Sequence, residues 1–551
     1  MVEWWRGAVI YQVYPRSFQD TNGDGVGDLA GVIDRIEHIA SLGVDAIWLS
    51  PITQSPQKDM GYDVSDYKDV DPLFGSLNDF DSLIERAHAL GLKVIIDQVI
   101  SHSSDQHPWF RESKLSRTNG RADWYVWADP RPDGTPPNNW PSVFGGRAWE
   151  WNASRGQYYF HNFLAEQPDL NFHNPAVQDA MLDVLRFWLE RGVDGFRLDT
   201  VNYYFHDQQF RNNPAKKLKK GLPYAVNPYD MQEHIYGKSR PENIGFLKRL
   251  RKLVDEFEDR TTVGEVGDSD HGLELMAEYT SGGDKLHMAY TFDMLGKEFT
   301  AAHFRGKLQS FLDKAPGGWP CWAFSNHDVD RHVTRWAGFS RDRSELAQLA
   351  ASMLLSFPGS LCLYQGEELG LPQTELRFEE LTDPPGIRMW PEYKGRDGCR
   401  TPIPWEAGDP PNGFTTGKPW LPVKPPQSAL SVAAQEADPA STLHFYRRAI
   451  AFRKAHEVFS GIGIEFLKVA EPLLAFRRLG EVENIVCLFN LSADPLSITL
   501  EGEPDAQPLG TSQRAERTGK RLTLGPNGFA FFAEPSGPGT LSVKFGGRRK
   551  G

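Results

Sequence analysis

Cysteine is scarce in this chain of 551 residues, with only Cys321, Cys362, Cys399 and Cys487. They are widely spaced and form no CxxC pair, which argues against a cysteine zinc site and a disulfide framework. Cys321 and Cys362 lie in apolar runs and read as inert core thiols. No apolar run reaches the ~20 residues needed to cross a bilayer, so a helical membrane span is not expected. Positive charge is also in deficit. Lys and Arg total 60 against 73 Asp and Glu, a net charge of −13. That balance argues against nucleic acid or an anionic membrane as the main partner. The opening stretch MVEWWRGAVIYQVYP lacks the basic region, apolar core and cleavage site of a secretory leader. A cytoplasmic protein is the expectation. No internal repeat is apparent.

What the chain does have is length for two or three domains and a heavy aromatic load of 16 Trp, 17 Tyr and 33 Phe. Six of the Trp (109, 124, 127, 140, 149 and 151) fall in one short segment. Flat rings pack cores and also make platforms for sugar faces. For any single Trp, packing is the plainer reading.

Short apolar runs alternate with amphipathic stretches over the first two-thirds of the sequence. Strands are predicted at 8–15, 44–51, 92–99, 195–201, 261–266, 285–292, 319–326 and 360–368. Between them, stretches such as LNDFDSLIERAHALG and AVQDAMLDVLRFWLERG place apolar residues three and four apart, as helices do. Continuous apolar strands alternating with helices imply a parallel sheet buried on both faces. Eight of them predict an α/β fold, a closed (β/α)₈ TIM barrel with its site at the C-terminal strand ends. An open doubly wound sheet is the alternative, disfavoured because no Gly-rich phosphate turn follows the first strand.

Two insertions interrupt the barrel. Residues 103–173, rich in Trp, Asn, Pro and Gly, are too long for a plain loop and are assigned to an inserted domain after strand three. A Pro- and Gly-rich irregular stretch covers about 371–426, so that the barrel takes 1–102 and 174–461. From 462 to 536 short alternating runs predict a C-terminal antiparallel β-sandwich, and 537–551 is expected to be a flexible tail.

Acids gather at the predicted strand ends. DQVISH offers Asp97 and His102, GFRLDTV offers Arg197 and Asp199, TTVGEV ends near Glu265, and FSNHD supplies His327 and Asp328. Arg197 beside Asp199 could be a structural ion pair, but such a pair costs desolvation that an apolar pair avoids. Paired carboxylates on one rim suit glycoside cleavage, in which one attacks the sugar and another protonates the departing oxygen. Arg197 is then expected to hold Asp199 ionised by lowering its pKa. Glu265, with no cation adjacent in sequence, is expected to keep its proton against an apolar wall. The separation that distinguishes retention from inversion is not a property of the sequence.

DQVISH, GFRLDTV, GEV and FSNHD, in this order on successive strands, resemble the four signature regions of the α-amylase family of glycoside hydrolases. QVYPRSF, DMGYDVSDY, YQGEELG and GRDGCRTPIPW are similar to its α-glucosidase and oligo-1,6-glucosidase branch, and the resemblance covers roughly residues 4–460. It implies Asp199 as nucleophile, Glu265 as general acid/base and Asp328 as transition-state stabiliser. It also implies that Asp59, Tyr62, His102, Arg197, His327 and Arg396 hold the terminal glucose. The insertion corresponds to the family's domain B, where Phe144 and Phe163 are candidate walls of the leaving-group side; simple packing is an equal reading. Thr200 resembles the residue of the branch favouring α-1,4 links, where the α-1,6 branch usually has Val. Ser101 departs from the family, many members of which carry Asn there for a calcium site between domains. That site is not carried over.

Asp20, Asn22, Asp24, Val26 and Asp28 place oxygen donors at alternate positions, with Gly25 easing the turn. They copy positions 1, 3, 5, 7 and 9 of an EF-hand loop, Val26 through its carbonyl, but Gly31 stands where the glutamate belongs. A structural Ca²⁺ or Mg²⁺ is expected there, since three unpaired acids in one tight loop would repel one another.

The expected activity is a retaining, exo-acting α-glucosidase, monomer or homodimer, taking glucose from short α-glucosides such as maltose or sucrose and transferring some of it. A transglucosylase or a sucrose- or trehalose-isomerising enzyme uses the same machinery. An inactive transporter-partner relative would lack catalytic carboxylates and gain a membrane segment. A pure carbohydrate-binding module would not need three convergent acids.

Overall fold

The computed structural model describes residues 3–217, 225–502 and 508–545. Eight parallel strands form its centre: β1 (Val9–Val13), β2 (Ala46–Leu49), β3 (Lys93–Gln98), β4 (Gly195–Leu198), β5 (Thr261–Val266), β6 (Met288–Thr291), β7 (Cys321–Ala323) and β8 (Ser360–Tyr364). Each falls inside a predicted strand. The hydrogen-bonded order is β6-β5-β4-β3-β2-β1-β8-β7. A parallel bridge between Ala289 and Pro320 joins β6 to β7 and closes the cylinder. The fold is a (β/α)₈ barrel.

Strand alternation decides which side chain faces which layer. Ile10, Ala46, Trp48, Ile95, Val263, Met288, Cys321 and Cys362 point inward and fill the barrel. Val9, Ile47, Val94, Phe196 and Leu361 point outward and meet the helices. Those helices begin where the sequence supplies caps: Asp28 accepts from Gly31 N ahead of Leu29–Ser41, and Ser76 with Asp79 forms a capping box ahead of Leu77–Ala89. Among the described residues no helix is long and apolar enough to cross a membrane.

The segment between β3 and the next barrel helix carries a three-stranded antiparallel sheet, with Gln157–Phe160 between Trp127–Ala128 and Trp149–Asn152. Its tryptophans pack, except for the exposed Trp151. Trp140 and Trp149 are buried with Phe160, and Trp109 meets Trp124 edge-on at 4.8 Å. None of the six lines the cavity described below.

After β8 the chain wanders through short helical turns at Phe378–Glu380, Pro384–Arg388 and Asp397–Cys399 before the last barrel helix, Thr442–Ala455. The C-terminal part is one antiparallel sheet in which the long strand Arg521–Pro535 pairs with Glu483–Asn490 along one half and with Leu496–Glu501 along the other. Leu473, Val486, Leu488, Ile498, Leu522, Leu524 and Phe532 fill the space between the halves, giving the sandwich its core.

The expected tail needs correcting. Ser542–Lys544 is a strand paired with Thr499–Glu501, and Leu541 is 2% exposed within the sandwich core. Residues 536–538 form a bend leading into this strand; the alternating Leu541, Val543 and Phe545 give it an apolar face. Residues 546–551 of that expectation lie outside the described residues.

Candidate active site

Parallel register brings the rim residues together. Asp97 on β3 lies level with Arg197 on β4, and Arg197 lies level with Val263 on β5. Two residues on from Arg197 and Val263 come Asp199 and Glu265, facing the same way by the period of two. Glu265 in turn lies level with Tyr290 on β6.

Arg197, 1% exposed, is the hub. Its Nη1 donates to Asp97 Oδ1 at 2.8 Å and Asp199 Oδ1 at 2.7 Å, and its Nη2 pairs with Glu265 Oε2 at 2.7 Å. The planar fork suits this multiple role as an ammonium would not. The sequence left Glu265 without a cation; the fold gives it the same one that serves Asp199.

Three guanidiniums, of Arg197, Arg396 and Arg400, face six carboxylates, of Asp59, Asp97, Asp199, Glu265, Asp328 and Asp383. Like charges in a buried site cannot all ionise. Burial pushes Glu265 up to about 8, against the pull of Arg197 and helped by the charges of Asp199 and Asp328. Burial pushes Asp199 up to about 7, Arg197 opposing and Asp97 adding to the rise. Arg197 does pull Asp199 down, as expected, but its charge is shared among three acids and burial outweighs the pull. Burial would raise Asp328 too, but it is held below the ordinary range by the charges around it. Arg396 Nη1 lies 3.2 Å and Arg400 Nη2 3.1 Å from its Oδ1. Burial keeps neighbouring His327 neutral, so the guanidiniums supply the attraction.

The opposite wall is built from separate segments. Arg396 Nη2 pairs with Asp59 Oδ1 and with Asp383 Oδ1, each at 2.7 Å. Tyr62 stacks on His327 with ring centroids 5.3 Å apart, and its hydroxyl donates to Asp97 Oδ2 at 3.1 Å. His102 contacts the Tyr62 carbonyl through Nε2 at 3.0 Å, and Ser101 Oγ lies 2.8 Å from its Nδ1. Burial lowers His102 to about 4, so it is neutral near pH 7. Phe144 and Phe163 meet edge-to-face at 5.4 Å, and Arg396 lies 4.8 Å over the Phe144 ring. Both rings therefore pack and face the cavity at once.

These walls line a half-open cavity of about 210 Å³, room for one hexose. The lining includes Asp59, Tyr62, His102, Phe144, Phe163, Asp199, Thr200, Glu265, His327, Asp328 and Arg396. Of the residues expected to act on or bind the sugar, Arg197 alone sits behind the lining. Gln167, Tyr203 and Phe292 also line the cavity, and Asp383 and Tyr290 support it. Tyr290 carried a signal, an inward position at a strand end; Asp383 carried none, coming from an aperiodic stretch.

The loop of the expected metal ligands lies elsewhere, and none of Asp20, Asn22, Asp24, Val26 and Asp28 lines the cavity. Asp20 Oδ1 accepts from Asn22 N at 3.0 Å, Asn22 Oδ1 from Asp24 N at 2.8 Å, and Asp24 Oδ1 from Val26 N at 2.8 Å. Gly25 has φ +93°, and a Cβ there would meet the Lys418 carbonyl at 1.9 Å. Only glycine fits. Asp28 is tied to Gly31 N, and Asp20 accepts from Gly25 N and the Thr415 hydroxyl. The acids are thus not unpaired, and their repulsion is a weaker argument for a cation than the sequence suggested. The all-oxygen donor set still fits a hard cation. Among the described residues, no three Asp, Glu, His or Cys side chains are grouped to hold a metal by themselves.

Residues 12–461 match the α-amylase catalytic domain family. A probable α-glucosidase from Rhizobium meliloti (strain 1021) is 59% identical over 494 residues, covering 89% of this chain and 90% of the relative. The crystal structure of an α-glucosyl transfer enzyme, XgtA, superposes with a TM-score of 0.94 at 52% identity, covering 97% of this chain and all of that one (100%). The trehalulose synthase MutB from Pseudomonas mesoacidophila MX-45 superposes with a TM-score of 0.86 at 32% identity, with 97% and 100% covered.

Proposed function

This chain belongs to the α-amylase family, and we propose that it is a retaining, exo-acting α-glucosidase of short, mainly α-1,4-linked substrates such as maltose. The observation that carries the proposal is the half-open, hexose-sized cavity on which Asp199, Glu265 and Asp328 converge. Asp199 attacks the anomeric carbon while Glu265 protonates the departing oxygen, giving a glucosyl ester on Asp199. Water activated by Glu265, now a base, then releases glucose. Asp328, kept ionised by Arg396 and Arg400, steadies the positive charge at the sugar. The Asp59–Arg396 pair, Tyr62, His102 and His327 grip the ring, so only a terminal sugar fits. Phe144 and Phe163 flank the leaving group. Retention is supported by the single guanidinium that bridges Asp199 and Glu265, since a shared partner keeps the two carboxyl groups near one another, as a covalent glucosyl intermediate needs. The expected first-formed product from maltose is α-glucose by proton NMR; β-glucose would sink the assignment.

A second reading, transfer of the glucosyl unit to a sugar or alcohol, is favoured by the 52% identity to an α-glucosyl transfer enzyme. Water and acceptor compete for the same ester. Following glucose and oligosaccharide products from maltose and sucrose at rising concentration separates the two. We also propose that the Asp20–Asp28 loop holds a structural Ca²⁺ or Mg²⁺ through Asp20, Asn22, Asp24, Asp28 and the Val26 carbonyl. It would stiffen the contact with residues 413–420 and take no part in the chemistry.

A further inference from the structure

We propose that Tyr290 is a positioning residue for the reaction: its hydroxyl, oriented by Arg197, donates to Glu265 Oε1 and sets the pH range over which Glu265 can act as the acid. The inference rests on Glu265 being the general acid, as proposed above.

The orientation follows from donor and acceptor counting. Arg197 Nε lies 3.2 Å and Nη2 3.0 Å from the Tyr290 oxygen. A guanidinium only donates, so the phenol oxygen must accept on that side. Its one proton is left for Glu265 Oε1, at 3.2 Å. Oε2 is engaged separately, by Arg197 Nη2 at 2.7 Å and by the main-chain N–H of Thr200 at 3.0 Å. Tyr290 is 2% exposed, so no water competes freely for the contact. Burial, with the charge of Glu265 adding to it, holds the phenol well above its ordinary value, and it keeps its proton throughout the working range.

A donor fixed in this way stabilises the carboxylate more than the carboxylic acid. The other charges felt by Glu265 are Arg197 on β4, Asp199 just beyond β4, Asp97 on β3 and Asp328 after β7. The three aspartates raise its proton affinity and Arg197 lowers it. Tyr290 acts in the direction of Arg197 without adding charge. It offsets part of the effect of burial and keeps the proton transferable.

The test is Tyr290→Phe, read as the pH profile of kcat/KM on maltose. Losing the donor leaves Glu265 holding its proton more tightly. The basic limb should move to higher pH by up to about one unit. A uniform loss of rate with the limb unmoved, or a shift to lower pH, overturns the proposal. Should this variant fail to fold, 3-fluorotyrosine at position 290 keeps the contacts and strengthens the donor, and the limb should move to lower pH. An unmoved limb there overturns it equally. Glu265→Gln separates the two levels of inference: full turnover in that variant removes the general-acid assignment itself, whereas loss of turnover with an unmoved Tyr290→Phe limb removes only the role of Tyr290.

Discussion

Thr200 donates its main-chain N–H to Oε2 of Glu265 at 3.0 Å, while its side-chain hydroxyl lies 3.2 Å from Oδ2 of Asp199. One residue thus touches both groups assigned to the chemistry. It does so with φ +39°, a left-handed conformation that a β-branched residue adopts only at a cost of about 1–3 kcal/mol. The turn that follows β4 holds it there, with Val201 N bonded to the Glu265 carbonyl at 2.9 Å.

Thr200→Val keeps the main-chain donor to Glu265 and removes the hydroxyl from Asp199 and from Ser101, 3.1 Å away. General-acid function should survive. The ratio of kcat/KM on maltose to that on isomaltose should fall by roughly threefold or more, the loss of about one hydrogen bond. An unchanged ratio would remove Thr200 from linkage choice.

Asp199→Ala should abolish turnover of an aryl α-glucoside, and Glu265→Gln should lower it by roughly 10²–10⁴-fold, with the circular dichroism spectrum of each variant unchanged. A near-normal rate from either, in a folded protein, contradicts its role.

The two raised carboxyls also fix a pH window. The nucleophile works ionised, so rate is gained as pH rises through the Asp199 value of about 7. The acid works protonated, so rate is lost as pH rises through the Glu265 value of about 8. The expected kcat/KM profile is a narrow bell centred between those limbs, which belong to the pair as a whole. A broad plateau from pH 5 to 7 would show that Arg197 does hold Asp199 low.

Removing divalent ions with a chelator, or replacing Asp24 with Ala, should lower the thermal midpoint by a few degrees with little change in kcat. Added Ca²⁺ or Mg²⁺ should restore it in the unaltered protein but not in the variant. The reverse pattern, lost rate at unchanged stability, would place the ion in catalysis.

The strands and the inward-facing acids were legible because buried parallel strands read as apolar runs, and a charge within one has few reasons to be there. Asp59, Tyr62 and Arg396, outside the barrel strands, were reachable only through the resemblance to a family. Asp383 and Arg400 have no periodic context, and only the path of the chain after β8 brings them to Asp328 and Arg396. Electrostatics were the least legible part. Adjacency in GFRLDTV showed Arg197 beside Asp199, but sharing with Asp97 and Glu265 depends on strand register. The end of the chain departs from the flexible tail expected because PSGPG is a stronger sequence signal than the short alternating run that follows it and pairs with Leu496–Glu501.

The lock formed by Leu541 has a practical bearing on how this enzyme can be shortened or joined to other proteins. Trimming at the 536–538 bend would pull a plug from the hydrophobic interior and strip Leu496–Glu501 of a hydrogen-bonded neighbour. A reporter or affinity handle is better attached beyond Lys544, where it hangs from a strand already secured. A protease cutting between Gly537 and Thr540 would sever the anchor while sparing every residue of the sugar cavity, so fragility and inactivity need not arrive together.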